Sequence, residues 1–304
     1  MEKQPLLSLC IPTNGVTEWV IPVIDSIYEN HANIDQFEVI VTDNGNDDQF
    51  ENEMLDYKKR YSNFVYSKTD AKLFQNQIEA FKLANGQLIK FVNHRMTLLP
   101  NSVIYLIDFV KKNIATKPTV YFSNGSLGIP SKIKKCRSFD EYVKTLSYFS
   151  SWSAGTAIWK CEFEQMDLNI KFNSLFPHTD IIFNNRFNTD YIIDDSLLMK
   201  EIPVDVTKKG NYDLFDAFAV QYPLIIENLY KKGDISKQTF NCVIRKNSYF
   251  VGGLYLDYMM KKEPCSYNLG GYKKAMGFFY SDIEIKCKAF LVGIKRIVKR
   301  LLKR

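Results

Sequence analysis

No stretch of this 304-residue chain approaches the roughly 18 uncharged apolar residues that a membrane-spanning helix requires. Its six cysteines (Cys10, Cys136, Cys161, Cys242, Cys265 and Cys287) are scattered, with no CxxC pair and no histidine at ligand spacing. That pattern argues against a zinc module or a disulfide framework and for reduced, mostly buried thiols in a cytoplasmic protein. A glycine-rich, lysine-bearing phosphate loop is missing near the N-terminus, which argues against nucleotidyl transfer. Internal repeats and low-complexity segments are also missing. The opening MEKQPLLSLCIPTNG has an apolar run broken by Pro12 and no small-residue cleavage site, so it reads as a buried strand rather than a signal peptide.

Acidic residues are missing from 285–304, where eight lysines and arginines stand, and this locates the formal charge of +6. The remaining 32 basic residues face 34 acidic ones, so the rest of the chain is near neutral at −2. A nucleic-acid-binding body does not fit that distribution.

What is present is a succession of short apolar runs and amphipathic stretches. LLSLCIP (6–12), FEVIVTDN (37–44), FVYSK (64–68) and QLIKFVN (87–93) suit parallel strands buried on both faces. Between them, 18–31, 50–61 and 73–86 have helical spacing, the last ending in Asn-Gly. This alternation predicts an α/β, doubly wound, mostly parallel sheet with ligands at the strands' C-terminal edge. Residues 100–115 and 138–149 read as helices, 118–127 as a strand and turn, and 150–160 as strand and loop. From about 213 onward the pattern is helical.

The informative residues stand at strand ends. Pro12, Thr13 and Asn14 follow the first strand, Asp43 and Asn44 the second, with a turn at Gly45. A helix containing Asn76 leads through Ala-Asn-Gly into the fourth strand, followed by Asn93-His94-Arg95. In order and spacing these pieces resemble the inverting family-2 glycosyltransferases of GT-A fold, well over residues 6–105 and loosely beyond. The resemblance implies a GT-A-like domain over 1–205, with a nucleotide-binding half (1–105) and an acceptor half (106–205). A helical region over 206–281 and a basic amphipathic helix over 282–304 complete the expected organisation.

The resemblance assigns Asp43 to the donor's base, usually uracil N3–H, with Pro12, Thr13, Asn14 and Asn44 lining the same pocket. A carboxylate at a strand end can read one edge of a planar base; a turn aspartate bonding its own backbone is the competing reading. Asn76 matches the family's helix asparagine. Lys68 or Lys72 could face the diphosphate as a point charge, or Lys72 could sit on a solvated helix face. The departure is Asn93-His94-Arg95, where the family carries Asp-x-Asp and holds Mg²⁺ or Mn²⁺. Either Arg95 contacts the diphosphate without a conventional metal, or His94 with Asn93 retains an ion, or the site keeps the fold without the chemistry.

Inversion needs a base for the acceptor hydroxyl. Asp180 in FPHTDII falls where the resemblance expects it, with His178 beside it; a helix-capping cluster is the alternative. Asp194 and Asp195 are the rival carboxylates. Trp152 and Gly155 match a region that approaches sugar and acceptor, although a core tryptophan is the commoner outcome.

Over 285–304, Cys287, Phe290, Leu291, Ile294, Ile297, Val298, Leu301 and Leu302 recur at three- and four-residue intervals. Lys288, Lys295, Arg296, Lys299, Arg300 and Lys303 fill the other face. A helix of this kind is expected to lie on an anionic membrane surface; docking against the core or a second subunit is the alternative. The combined expectation is a hexosyltransferase on the inner membrane face, moving a sugar from a nucleotide-sugar donor, UDP-linked first, to a cell-surface glycan or lipid-linked acceptor. A non-catalytic protein that keeps the fold and binds nucleotide or a partner transferase is the second expectation.

Overall fold

The first strand, β1 (Leu7–Thr13), is buried along nearly its whole length, as an apolar run without alternation requires when both faces are covered. It lies in the middle of a sheet described here from a computed structural model, which covers residues 4–168, 172–184, 186, 190–203 and 210–302. On one side it pairs in parallel with β2 (Phe37–Asp43), and β2 with β3 (Phe64–Lys68). On the other side it pairs in parallel with β4 (Leu88–Phe91). The strand order β3-β2-β1-β4 places the topological switch point between β1 and β4, and sheets of this kind open a ligand crevice there. The edge beyond β4 is closed by the antiparallel β8 (Ala157–Trp159).

Helices α1 (Thr17–Tyr28), α2 (Asp48–Arg60) and α3 (Asn76–Leu83) connect these strands. The second starts where the Asp47 side chain accepts from the backbone N–H groups of Gln49 and Phe50, an N-cap. Residues 73–75 form a separate 3-10 turn ahead of α3, so the helix is shorter than its spacing suggested.

Beyond the crevice, β5 (Met96–Leu98) pairs antiparallel with β10 (Met199–Glu201). A three-stranded sheet orders β6 (Thr119–Phe122), β9 (Tyr191–Asp194) and β7 (Ile133–Cys136). The strand and turn expected over 118–127 are β6 and the turn after it, where Asn124 and Gly125 both take positive φ, 52° and 75°, a backbone that ends a ladder. Helix α4 (Ser102–Asn113) joins β5 to β6, α6 (Lys160–Gln165) follows β8, and α7 (Pro177–Asn184) precedes β9. The architecture is the mostly parallel, GT-A-like sheet with flanking helices, followed by a helical region.

The chain divides into two units, one of residues 1–138 and 151–203, the other of 139–150 and 204–304. The boundary expected at 205/206 lies outside the described residues. The second unit contains α5 (Phe139–Leu146), α8 (Leu214–Asp216) running through a π-turn into α9 (Tyr222–Lys231), α10 (Lys237–Leu254), α11 (Tyr272–Ala275) and α12 (Asp282–Leu301). Its core gathers Phe215, Val251, Tyr272, Tyr280 and Ile285. The Asp140 carboxylate accepts from the Ser236 N–H and the Thr239 hydroxyl, fixing the start of α10 to α5. Among the described residues, no helix is long and apolar enough to cross a membrane.

Candidate active site

The C-terminal ends of β1, β2 and β4 are tied into one cluster by side chains that the sequence had singled out. Asn76, almost fully buried, donates from Nδ2 to the carbonyls of Thr13 (3.0 Å) and Thr42 (2.8 Å) and accepts at Oδ1 from the Thr69 hydroxyl (2.8 Å). One amide thus fixes the ends of β1 and β2 and the loop after β3, with its polar atoms engaged. Asn44 adds a hydrogen bond to the Ala71 carbonyl (2.7 Å). Asn14 is exposed and Pro12 half-buried. Lys72 is exposed at the start of the 3-10 turn.

Asp43 is wholly buried. Its Oδ1 accepts from the Gly45 N–H (2.7 Å), closing the turn, and its Oδ2 accepts from the Tyr66 hydroxyl (3.1 Å) and the Lys68 ammonium (3.0 Å). Lys68 donates as well to the Gly45 carbonyl (2.7 Å). The strand register explains this pairing, since Lys68 is directly opposite Asp43 and Tyr66 is two residues back on the same face. Tyr66 was missed from sequence; its same-face spacing from Lys68 is the signal that could have found it. Burial, followed by the Asp43 charge, pushes the Tyr66 phenol well above its usual range. The turn has no spare room, because a Cβ on Gly45 would come within 2.2 Å of the Asn14 carbonyl oxygen.

Across the switch point stands Asn93-His94-Arg95. His94 Nδ1 shares a hydrogen bond with the Thr13 hydroxyl (2.9 Å), joining the end of β4 to the end of β1. Its ring meets Trp19 edge-on at 5.3 Å, and the Arg95 guanidinium lies over the same indole at 5.4 Å, a cation–π distance. Desolvation, with the Arg95 charge adding to it, pushes the His94 pKa down to about 3, so the imidazole is neutral. Asn93 Oδ1 accepts from the Arg95 N–H (3.0 Å).

This donor set does not suit a divalent cation. The tripeptide brings no carboxylate, its amide oxygen is engaged within its own turn, and its third residue brings a positive charge. Among the described residues no group of three or more His, Cys, Asp or Glu side chains is arranged to hold an ion.

Asp180 sits in the first turn of α7, half-buried, with Oδ2 accepting from the Asn173 N–H (2.6 Å). The Asn173 carbonyl in turn accepts from the Gln75 side chain (3.3 Å), next to Asn76. These two hydrogen bonds link Asp180 to Gln75, the residue that precedes Asn76. His178 is buried, and its Nε2 lies 2.9 Å from the Ser151 carbonyl oxygen. A carbonyl only accepts, so Nε2 carries the proton and Nδ1 is the bare nitrogen. That Nδ1 has no hydrogen-bond partner among the described residues. Burial pushes the His178 pKa down to about 4, against the opposing pull of the Ser151 hydrogen bond.

Trp152 is half-buried and packs partly on the core, while its carbonyl accepts from the Tyr121 hydroxyl (2.7 Å). Gly155 is set by that tyrosine, since a Cβ there would lie 2.1 Å from a ring carbon. Asp194 and Asp195 are both buried and hydrogen-bonded. The first accepts from the Tyr105 hydroxyl and the Ser196 N–H, the second from Ser123, Leu127 and Ile129. The Asp195 carboxylate thereby holds the loop after β6 in place. Sequence reading also passed over Lys90, whose almost fully buried ammonium donates to the carbonyls of Phe91 (2.7 Å) and Ala154 beside the switch point.

Solved structures of similar fold include S. aureus TarS 1–349 in complex with UDP-GlcNAc, with a TM-score of 0.59 and 14% identity, covering 90% of this chain and 80% of that one. Another is the mannosyltransferase PcManGT from Pyrobaculum calidifontis in complex with GDP-Man and Mn²⁺, with a TM-score of 0.51 and 14% identity, covering 81% and 72%. Among curated proteins none matches the chain. The model of glycosyl transferase family 2 matches residues 8–180, more than half of the chain, and takes in the ends of β1, β2, β3 and β4. The chain belongs to glycosyl transferase family 2.

Proposed function

We propose that this family-2 chain transfers a hexosyl group, with inversion, from a nucleotide sugar to a cell-surface glycan or lipid-linked acceptor at the cytoplasmic membrane face. The observation that supports the reading is the His94–Thr13 hydrogen bond, which ties the Asn93-His94-Arg95 turn to the end of β1, opposite Asp43 in the neighbouring strand. Nucleotide sugars in two proteins of the same fold, UDP-GlcNAc in one and GDP-Man in the other, support the donor class. UDP is preferred because Asp43 suits the N3–H of uracil.

In this reading the base reaches Asp43 as Lys68 turns outward. Lys68 is the partly exposed member of that ion pair, and its ammonium then serves the diphosphate. The acceptor oxygen attacks the anomeric carbon, its proton passes to Asp180, and the bond from that carbon to the phosphate oxygen breaks. Arg95 stabilises the charge left on the nucleoside diphosphate, an electrostatic contribution of the kind worth about 10²–10³ in rate. Asn93 and His94 hold Arg95 and the turn in register, and Trp152 and His178 border the acceptor side.

A second reading, a non-catalytic protein that keeps the nucleotide site, is favoured by one observation. The acceptor positions of Asp43 are already filled by Gly45, Tyr66 and Lys68. Incubation with a panel of nucleotide sugars, with and without EDTA, separates the two. Catalysis predicts slow release of free nucleotide that persists in EDTA and is lost in Asp180→Asn while donor binding remains. Inactivity with every donor and acceptor would leave the non-catalytic reading.

A further inference from the structure

The geometry of the second unit points to the outward face of α12 as a docking surface for an anionic lipid bilayer, with the helix lying along the surface. This inference does not rest on the donor chemistry. At about 3.6 residues per turn, Ile285, Ala289 and Arg296 fall on one side of the helix, and all three are occupied by the protein. Ile285 and Ala289 are fully buried. Gly252 of α10 allows the close approach, since a Cβ there would lie 2.7 Å from the Lys288 Cβ and 2.9 Å from the Ala289 nitrogen. Arg296 forms a two-point ion pair with Asp257, so it leaves the set of cations that the sequence had assigned to the polar face. The rotation of the helix about its own axis is thereby fixed.

The opposite side carries Phe290, Ile294, Ile297 and Leu301, which are 67%, 43%, 59% and 64% exposed. A helix packed on a soluble domain ordinarily turns its apolar stripe inward; here the stripe faces away from α10. Cations border it on both flanks, Lys286 and Arg300 on one side, Lys288, Lys295 and Lys299 on the other. Lys286 is paired with Asp282, and Lys288 lies over the Tyr249 ring. Lys295, Lys299 and Arg300 have no ion pair among the described residues, and 285–304 contains no carboxylate side chain to offer one. Lys303 and Arg304 lie outside the described residues.

Charge decides the occupant. A second copy docked through this stripe would set cationic flanks against cationic flanks, a like-charge contact with nothing to neutralise it. Lipid phosphates neutralise both flanks at once while acyl chains cover the stripe. Lying on the bilayer rather than crossing it follows from the same cations, since no described helix is long and apolar enough to span.

Co-sedimentation of the full chain with vesicles tests this, using phosphatidylcholine alone and phosphatidylcholine with phosphatidylglycerol. Binding is expected on the anionic vesicles and is expected to weaken as salt rises. Lys295→Gln, Lys299→Gln and Arg300→Gln combined should lower it on the order of a hundredfold. Phe290→Ser with Ile297→Ser should abolish it, and far-ultraviolet circular dichroism should stay unchanged because both side chains are exposed. Equal binding to neutral and anionic vesicles, binding unaffected by the triple substitution, or a dimer that Phe290→Ser with Ile297→Ser dissociates would each overturn the assignment. Loss of vesicle binding with transfer to a soluble acceptor intact would leave the catalytic reading standing.

Discussion

Lys90 shows how a single residue in this fold carries a measurable signature. Its ammonium lies 5.5 Å from the centre of the Phe122 ring and against two carbonyls, and burial pushes its pKa from 10.5 down to about 7. Between those values the unfolded chain holds a proton that the folded chain has lost, so this residue's contribution to stability grows as pH rises and is lost as pH falls through 7. Lys90→Met removes the proton from both states. Urea unfolding of the two proteins at pH 7 and at about pH 9.5, below most tyrosine ionisation, should show the wild type gaining on the variant at the higher pH. A difference independent of pH would show that Lys90 keeps its proton in the fold. Nothing in the sequence announced this residue, because QLIKFVN reads as a strand whichever way the lysine points. Its burial follows from β8 and the carbonyl of Ala154 closing over it, contacts made across more than sixty residues. Asp43 was legible for the opposite reason, since its turn at Gly45 is local. Its ion pair with Lys68 needed the strand register.

At the scale of elements, Asn76 adds a side-chain anchor to the backbone ladder that joins the ends of β1 and β2. Asn76→Ala withdraws the side-chain donor from the Thr13 and Thr42 carbonyls and leaves Thr69 without its acceptor. Each buried group left unsatisfied costs about 1–3 kcal/mol. Thermal unfolding is expected to shift down by several degrees, and nucleotide affinity to fall with it, because the ends of β1 and β2 lose their common anchor. A lowered melting temperature with unchanged affinity would separate the anchor from the site. The elements themselves were readable because apolar runs and helical spacing alternate cleanly up to residue 113. They became harder to read after it, where β6 to β10 are short and pair out of sequence order. The antiparallel β8 exemplifies this, joining a sheet whose other members all precede residue 92.

At the scale of the molecule, the strand-end cluster and all of the family-2 match except residues 139–150 lie in the first unit. The apolar outward helix and the unpaired cations lie in the second. A basic amphipathic helix could be read from residues 285–304 alone; which side of it was already taken could not, because that depended on Gly252 and Asp257 in another helix. Catalysis by this chain turns on whether the Asp43 turn and Arg95 hold a nucleoside diphosphate together without an ion. Isothermal titration of UDP into the full chain in EDTA tests that most directly, comparing the wild type with Asp43→Ala and Arg95→Ala. Binding that survives EDTA and weakens by about tenfold or more in each variant, equivalent to 1.4 kcal/mol or more, is the expected result. No binding of any nucleoside diphosphate, or binding that needs Mn²⁺ and ignores Arg95→Ala, would contradict it.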